Sequence, residues 1–563
     1  MSFTRIVAAI ANHVIEHPLL WALYLGVALL CFLLSLAGFT RKQYWYVYIA
    51  LIVFVTISAL LNYAYDAHHH VSRVAELSDQ FKNGYFGIFV FDPINRNALP
   101  IFFFYSVLPY IVPVMLTFMF VPAFYAYIGG LLLYFIILVY GTWELSGKIV
   151  GRGEYANLAT IIFISTNYVI SLWVVRSAAA EILAFSLVPW VTLALVERPR
   201  STLWVTTLLA LQVASHPIVF LQCAVAEVAA CIAFTTLRDA LKATVLPLIL
   251  AIAISSPFWA PQLIFMHAVK GNSGIPVHYE STFLTLGALL NPLSVTSPGL
   301  WGVCALMVIW LSGGARKQVA VLFGFFLCTV LLQTVFFETI VTQIPLLDTV
   351  QFVWRWMLVS CFFVLVLLLA SSIISTALLR TIGALAVFNA FVICGIHLTV
   401  YKEVEARIAN DLKPRDNQTV IRDYFRSRLD QSDPASQWGV GEYLPDYAKY
   451  ATACGDESQQ TYFSDVEKGV SVSASSALSV QEAPVGFVKY QLNGTDIAAS
   501  SSCERRLSFG PFPEAGTFTV DQDLVTLVSA ARYAVLAVLF ACLGLVCKEA
   551  RRGSVMAVSS RAG

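Results

Sequence analysis

The sequence predicts an all-α polytopic membrane bundle of about 13 transmembrane helices, with a small extracytoplasmic α+β or β-sandwich domain before the last helix. Three observations predict it. Of 563 residues, 58% are hydrophobic and only 12% charged, and the mean hydropathy is +0.74, which a water-facing surface would not tolerate. Apolar stretches near the ~20 residues that cross a bilayer recur along the chain. Basic residues fall in alternate loops, the pattern that orients membrane helices.

The candidate spans run near 19–38, 44–63, 124–142, 157–174, 180–197, 203–217, 218–236, 243–262, 288–311, 318–337, 356–375, 382–401 and 524–547. The first is too long for a signal-peptide core of ~7–15 residues, so no cleavable leader is expected. Residues 1–18 alternate weakly and suit an interfacial helix. Arg41 with Lys42, Lys148 with Arg152, Arg198 with Arg200, Arg238 with Lys242, Arg316 with Lys317, Arg380, and the tail Lys548, Arg551 and Arg552 can all be cytoplasmic together. That placement puts 64–123, 175–179, the His216 tip, 263–287, 338–355 and 402–523 outside. It divides the chain into a transmembrane domain (1–401, with the extracytoplasmic loop 64–123), an extracytoplasmic domain (402–523), and a final helix with a basic cytoplasmic tail (524–563).

Residues 101–122 are apolar enough to cross, which would make fourteen spans. Pro109, Pro113 and Pro122 disfavour a regular helix there, and a juxtamembrane or re-entrant segment shielded by protein is expected instead. The 402–523 segment turns to strand patterns at Val470–Ser475, Val485–Tyr490 and Gly516–Val520. Asn417 and Asn493 stand in glycosylation sequons, which also arise by chance. Nine of the eleven cysteines lie in apolar runs. The other two, Cys454 and Cys503, allow one disulfide, and no spacing suggests zinc. A net charge of +1 points away from nucleic acid.

Four groups of residues can carry chemistry. Asp66 opens the run Asp66, Ala67, His68, His69, His70, Val71, Ser72 and Arg73 at the outer end of a span. Ionisable groups so close to hydrocarbon are costly and are read first as functional. A partly desolvated carboxylate can serve as a general base, or Asp66 can simply N-cap the following helix. Three consecutive histidines point about 100° apart on a helix, which disfavours a metal site. Arg176 and Glu181 sit at the junction of two spans, either as a structural ion pair or with Arg176 on a lipid phosphate. Arg355 lies between Trp354 and Trp356, as a snorkelling anchor or a phosphate ligand. His216, in Ser215-His216-Pro217, is by default a satisfied buried histidine. No Walker A, dinucleotide loop, HExxH or GxSxG motif is present.

In order, Asp66 with His70 and Arg73, the run 100–110, Arg176 with Glu181, Ser215-His216-Pro217, Phe258-Trp259-Ala260-Pro261 and Phe352-Val353-Trp354-Arg355 resemble the bacterial YfhO-like or "6-pyruvoyl-tetrahydropterin synthase-related" membrane proteins, which look like members of the GT-C glycosyltransferase superfamily. The resemblance covers most of 44–375. It departs in the extra span at 19–38 and at Val107, where a Pro is common. It implies inverting transfer of a sugar from a polyprenyl-phosphate donor to a glycan, lipid or protein acceptor outside a bacterial cytoplasmic (inner) membrane. Asp66 would be the base, Arg176 and Arg355 would hold the leaving phosphate, and Glu181 would join them in the donor-binding set. His69, His70, Arg73, Tyr105 and His216 would line the acceptor side. No cofactor is certain from the sequence, and a divalent cation is left open. Two other classes compete: a transporter or flippase of lipid-linked glycans, for which no inverted repeat is visible, and a non-catalytic scaffold for envelope assembly.

Overall fold

The computed structural model describes residues 44–61, 67–83, 90–91, 98–99, 102, 105–197, 202–265, 283–291, 294, 297, 317–341, 353–371, 374–400, 459–462, 469–476, 478–481, 489–497, 501–503, 506–509, 511–521 and 523–559, with the isolated positions 26, 29, 33 and 419. Asp66, Cys454, Asn417 and the expected span 19–38, apart from three positions, lie outside the described residues, as does most of 288–311.

Described helices dominate: α1 (Tyr44–Leu61), α2 (Ala67–Lys82), α3 (Leu108–Phe118), α4 (Ala123–Val150), α5 (Glu154–Ile164), α6 (Asn167–Ser171), α7 (Ala179–Ser186), α8 (Val188–Val196), α9 (Thr202–Ser215), α10 (Pro217–Phe234), α11 (Leu237–Ile254), α12 (Ser256–Phe265), α13 (Lys317–Leu331), α14 (Met357–Ser371), α15 (Thr376–Val400) and α16 (Asp523–Ser559). Among the described residues, six helices are long and apolar enough to cross a membrane, or up to eight if each bent pair is one span. The chain is therefore a multi-pass membrane protein.

The structure refines several expected spans. The 157–174 span is bent by 55° between α5 and α6, and the 243–262 span by 65° between α11 and α12. Ser165 and Thr166 interrupt the first, and Ser255 with Pro257 the second; a proline has no N–H to continue the ladder. The expected 203–217 span is the 14-residue α9, roughly 21 Å long and short of a ~30 Å core. The expected 318–337 span stops as a helix at Leu331 and re-forms as a 3₁₀ turn at Val335–Phe337.

Loop 64–123 is built on protein. Helix α2 is amphipathic and buries Val71, Val74, Ala75 and Leu77. Helix α3 has 11 residues, about 17 Å, too few to span. It lies against the start of α4, where Gly130 lets Pro113 approach so closely that an added Cβ would sit 2.7 Å from the ring. Tyr134 in α4 donates to the Pro109 carbonyl at 2.8 Å. The N-terminus of α3 thus lies about three turns along α4, with the Met119–Phe120 turn at the other end.

The bundle is tied across by polar side chains. Glu154 accepts from Tyr44 at 2.9 Å and from Arg380 Nη2 at 2.9 Å. Asn389 donates to Asn167 at 2.7 Å, joining α15 to the bent span.

Residues 459–521 form two four-stranded sheets, in the orders β4-β10-β6-β7 and β3-β5-β9-β8. Their strands are β3 (Gln459–Tyr462), β4 (Val470–Val472), β5 (Leu478–Gln481), β6 (Lys489–Leu492), β7 (Thr495–Ile497), β8 (Ser501–Cys503), β9 (Arg506–Phe509) and β10 (Gly516–Asp521); a separate hairpin pairs β1 (Val90–Phe91) with β2 (Ala98–Leu99). Phe509 of one sheet meets Tyr490 and Phe518 of the other, with ring centroids 4.7 and 4.9 Å apart. This aromatic contact between two sheets is sandwich packing. The alternation predicted at Val470–Val472 is present, with Val472 buried and Ser471 exposed. Asn493 opens the turn between β6 and β7 at φ +50°. Its side chain accepts from Thr517 N at 2.9 Å and donates to Glu514 at 2.8 Å. The Asn493 amide is thus a structural clasp.

Candidate functional site

Two polar clusters lie next to each other in the bundle. The first is at the end of the bent span. After α6 the backbone widens into a π-helical turn, Leu172–Arg176, and stops at Ser177 with φ +53°. Turns of this kind, and left-handed residues other than glycine, concentrate at functional sites. The Ser177 N–H closes the turn on Leu172 O at 2.9 Å, and its hydroxyl donates to Trp173 O at 2.8 Å. The turn directs Arg176 onto Glu181 in the first turn of α7.

The Arg176–Glu181 pair is bidentate: Nη1 to Oε2 at 2.6 Å and Nη2 to Oε1 at 3.1 Å. Arg355, on the 3₁₀ turn before α14, brings its Nε to 2.9 Å from the same carboxylate. The Arg176 guanidinium lies over the Trp354 ring, 4.5 Å from the centroid, and Nη1 donates to Tyr168 Oη at 3.4 Å. The Glu181 side chain is 2% exposed, against 16% for Arg176 and 10% for Arg355. The carboxylate is the floor of the cluster, and the guanidiniums form its more open edge. His216 is half-buried and N-caps α10, its ring accepting from Val219 N at 3.4 Å. It is close enough for the charges of Glu181, Arg355 and Arg176 to act on it. It is a helix cap beside the cluster, with its ring satisfied by that bond.

The second cluster hangs from α2. His70 Nδ1 is 2.7 Å from Tyr110 Oη, and Arg73 Nη1 donates to the same hydroxyl at 3.1 Å. Arg73 also lies 4.2 Å from the centre of the Tyr105 ring, a cation–π contact. His70 stacks on Tyr127 at 5.7 Å and 16°. His70 and Arg73 are both buried. His69 is half-buried, its carbonyl taken by Ser72. Helix α2 begins at Ala67, one residue after Asp66.

Tyr127 joins the clusters. Its ring stacks on His70, and its hydroxyl donates to the Ser177 carbonyl at the Arg176 turn. The structure therefore brings together His70, Arg73 and Tyr105 on one side and Arg176, Glu181 and Arg355 on the other, with His216 beside the second group. Sequence reasoning missed Tyr110, Tyr127 and Tyr168. Tyrosines in apolar runs carry no sequence signal that separates a site from an aromatic core.

It also missed Arg532, buried in α16, whose neighbours Leu527, Val538, Phe540 and Leu545 are exposed. Arg532 Nε donates to Pro257 O at 2.8 Å, and Nη1 donates to Phe102 O. It satisfies carbonyls at the α11–α12 break and just ahead of Tyr105. A lone arginine in an apolar run was the available signal. Among the described residues, no group of three or more His, Cys, Asp or Glu side chains gathers to hold a metal ion.

No family model matches the chain, and no curated protein matches it. Among solved structures, ArnT from Cupriavidus metallidurans bound to undecaprenyl phosphate is similar at 11% identity and a TM-score of 0.43, covering 83% of this chain and 97% of that one. The apo state of the same protein gives 11% and 0.42, over 83% and 98%. The arabinofuranosyltransferase AftD from Mycobacteria gives 15% and 0.41, over 86% of this chain and 40% of that one. Likenesses this weak decide neither fold nor function.

Proposed function

We propose that the chain is a GT-C-type glycosyltransferase of a bacterial cytoplasmic membrane. It transfers a sugar, with inversion, from a polyprenyl-phosphate donor to a glycan, lipid or protein acceptor on the extracytoplasmic side. One observation carries the reading: two guanidiniums, Arg176 and Arg355, converge on one buried carboxylate at a π-turn, one tyrosine away from a His–Arg–Tyr cluster borne by α2. Guanidiniums fit phosphate oxygens in a fork, and a preset cation pair in a water-poor site stabilises charge that develops on a leaving group.

In this reading Asp66, the residue before α2, takes the proton from an acceptor hydroxyl. The acceptor oxygen forms its bond to the anomeric carbon as the bond from that carbon to the phosphate oxygen breaks. The electron pair leaves with the polyprenyl phosphate, whose charge grows from one to two negatives against Arg176 and Arg355. His69, His70, Arg73 and Tyr105 line the acceptor side, with His216 at its edge. Residues 402–523 form an extracytoplasmic domain held by the final helix.

The test is photo-crosslinking of the purified full-length chain with a photoreactive polyprenyl phosphate. Labelling that inorganic pyrophosphate does not mimic, and that Arg176→Gln with Arg355→Gln removes from a folded protein, supports the reading. Labelling unchanged in that double variant contradicts it.

A further inference from the structure

The cluster described above contains its own anion. If Arg176 and Arg355 hold a lipid phosphate, Glu181 cannot be a ligand of it, because two anions repel at contact distance. Yet the carboxylate is bidentate to Arg176 and 2.9 Å from Arg355. It is also the most deeply buried of the three, its side chain 2% exposed against 16% for Arg176 and 10% for Arg355. An arriving phosphate would therefore meet the arginines on the side away from Glu181. The carboxylate would stay beneath them, leaving the trio with one net positive charge.

We infer that Glu181 is the charge-setting, specificity-determining residue of this site, matching it to a singly charged phosphodiester lipid over a doubly charged phosphomonoester lipid. The inference rests on the phosphate-site reading of Arg176 and Arg355. A sugar-bearing polyprenyl phosphate is a diester with one negative charge. The lipid left after transfer is a monoester, which gains its second charge near pH 6. Two uncompensated guanidiniums would hold the doubly charged product most tightly. With Glu181 beneath them, donor binding is favoured and product release is not stalled.

The test uses full-length protein in lipid nanodiscs and two probes, a polyprenyl phosphate and its methyl diester, each displacing a fluorescent polyprenyl phosphate. The readout is the ratio of the two affinities, which cancels damage to the position of the arginines. Glu181→Gln removes the counter-charge and should shift the ratio toward the monoester by about tenfold at pH 7.5. Glu181→Asp keeps the charge and should leave the ratio unchanged even where both affinities fall. A ratio unmoved by Glu181→Gln, or moved equally by Glu181→Asp, overturns the inference while the phosphate site stands. Wild-type protein that binds neither probe overturns the phosphate-site reading itself.

If neither variant folds, the wild type decides. Between pH 5 and 8 the monoester acquires its second charge, while the diester keeps one charge throughout and so reports any titration of the groups near the trio, namely Tyr168, His216 and Cys223. A rise of less than about tenfold toward the monoester supports the counter-charge, and a larger rise overturns it.

Discussion

Replacing Arg176 by alanine strips the bidentate partner from a carboxylate that is 2% exposed. Breaking a buried ion pair by removing one partner costs about 3–5 kcal/mol, mostly because the other charge is left buried. Arg355 Nε remains 2.9 Å from the same carboxylate, so the lower end applies, about 3 kcal/mol. Loss of the guanidinium over the Trp354 ring adds roughly 1 kcal/mol for a partly exposed cation–π contact. Arg176→Ala should therefore destabilise the bundle by about 4 kcal/mol in equilibrium unfolding from mixed micelles. Adding Glu181→Ala to the same chain should recover part of that loss, because the charge then left without this partner, Arg355, is more exposed than Glu181, 10% against 2%. A single variant as stable as wild type, or a double variant simply worse than the single, would refute the buried-pair argument.

Three further outcomes follow from the same geometry. Tyr127→Phe leaves the Ser177 carbonyl without its donor and should cost about 1–3 kcal/mol in the same unfolding assay, while lowering affinity for a polyprenyl phosphate probe without altering a charged residue. Arg532→Met removes the donors to Pro257 O and Phe102 O. It should destabilise by about 2–4 kcal/mol and make the stretch after residue 521 more sensitive to limited proteolysis. Gly516→Ala places a Cβ 2.2 Å from Asn493 Oδ1 and should cost about 1–3 kcal/mol by overpacking, read as lost protease resistance of the 459–521 sheets with the membrane helices intact.

Where apolar runs were long, the helices were legible, because ~20 consecutive apolar residues have few other uses. The breaks inside two of the expected spans were not read. Ser165 with Thr166, and Ser255 with Pro257, are weak interruptions whose freed carbonyls need side-chain partners, near or far in the chain. Trp259 and Arg532 supply two of them at the second break. Strand patterns at 470–475 and 516–520 were readable because their apolar residues alternate with polar ones, and Val472 and Phe518 are buried. The Asn493 sequon gave no sign that its amide serves the β6–β7 turn.

At the site, Arg176 with Glu181 could be read from a separation of five residues. That Arg355 shares the same carboxylate depends on tertiary packing alone, as does the bond from Tyr127 to Ser177. Of the two readings of Arg176 and Glu181, the ion pair is present in the structure, and the phosphate reading is the one the double variant tests.

The central claim is that Asp66 is the base of an extracytoplasmic sugar transfer, and Asp66→Asn tests it most directly. The variant is expressed in place of the wild type, its abundance in the membrane is measured, and the surface glycans are analysed by mass. The account predicts normal abundance with one sugar missing from a glycan, lipid or protein. An unchanged set of surface glycans at normal abundance would contradict it.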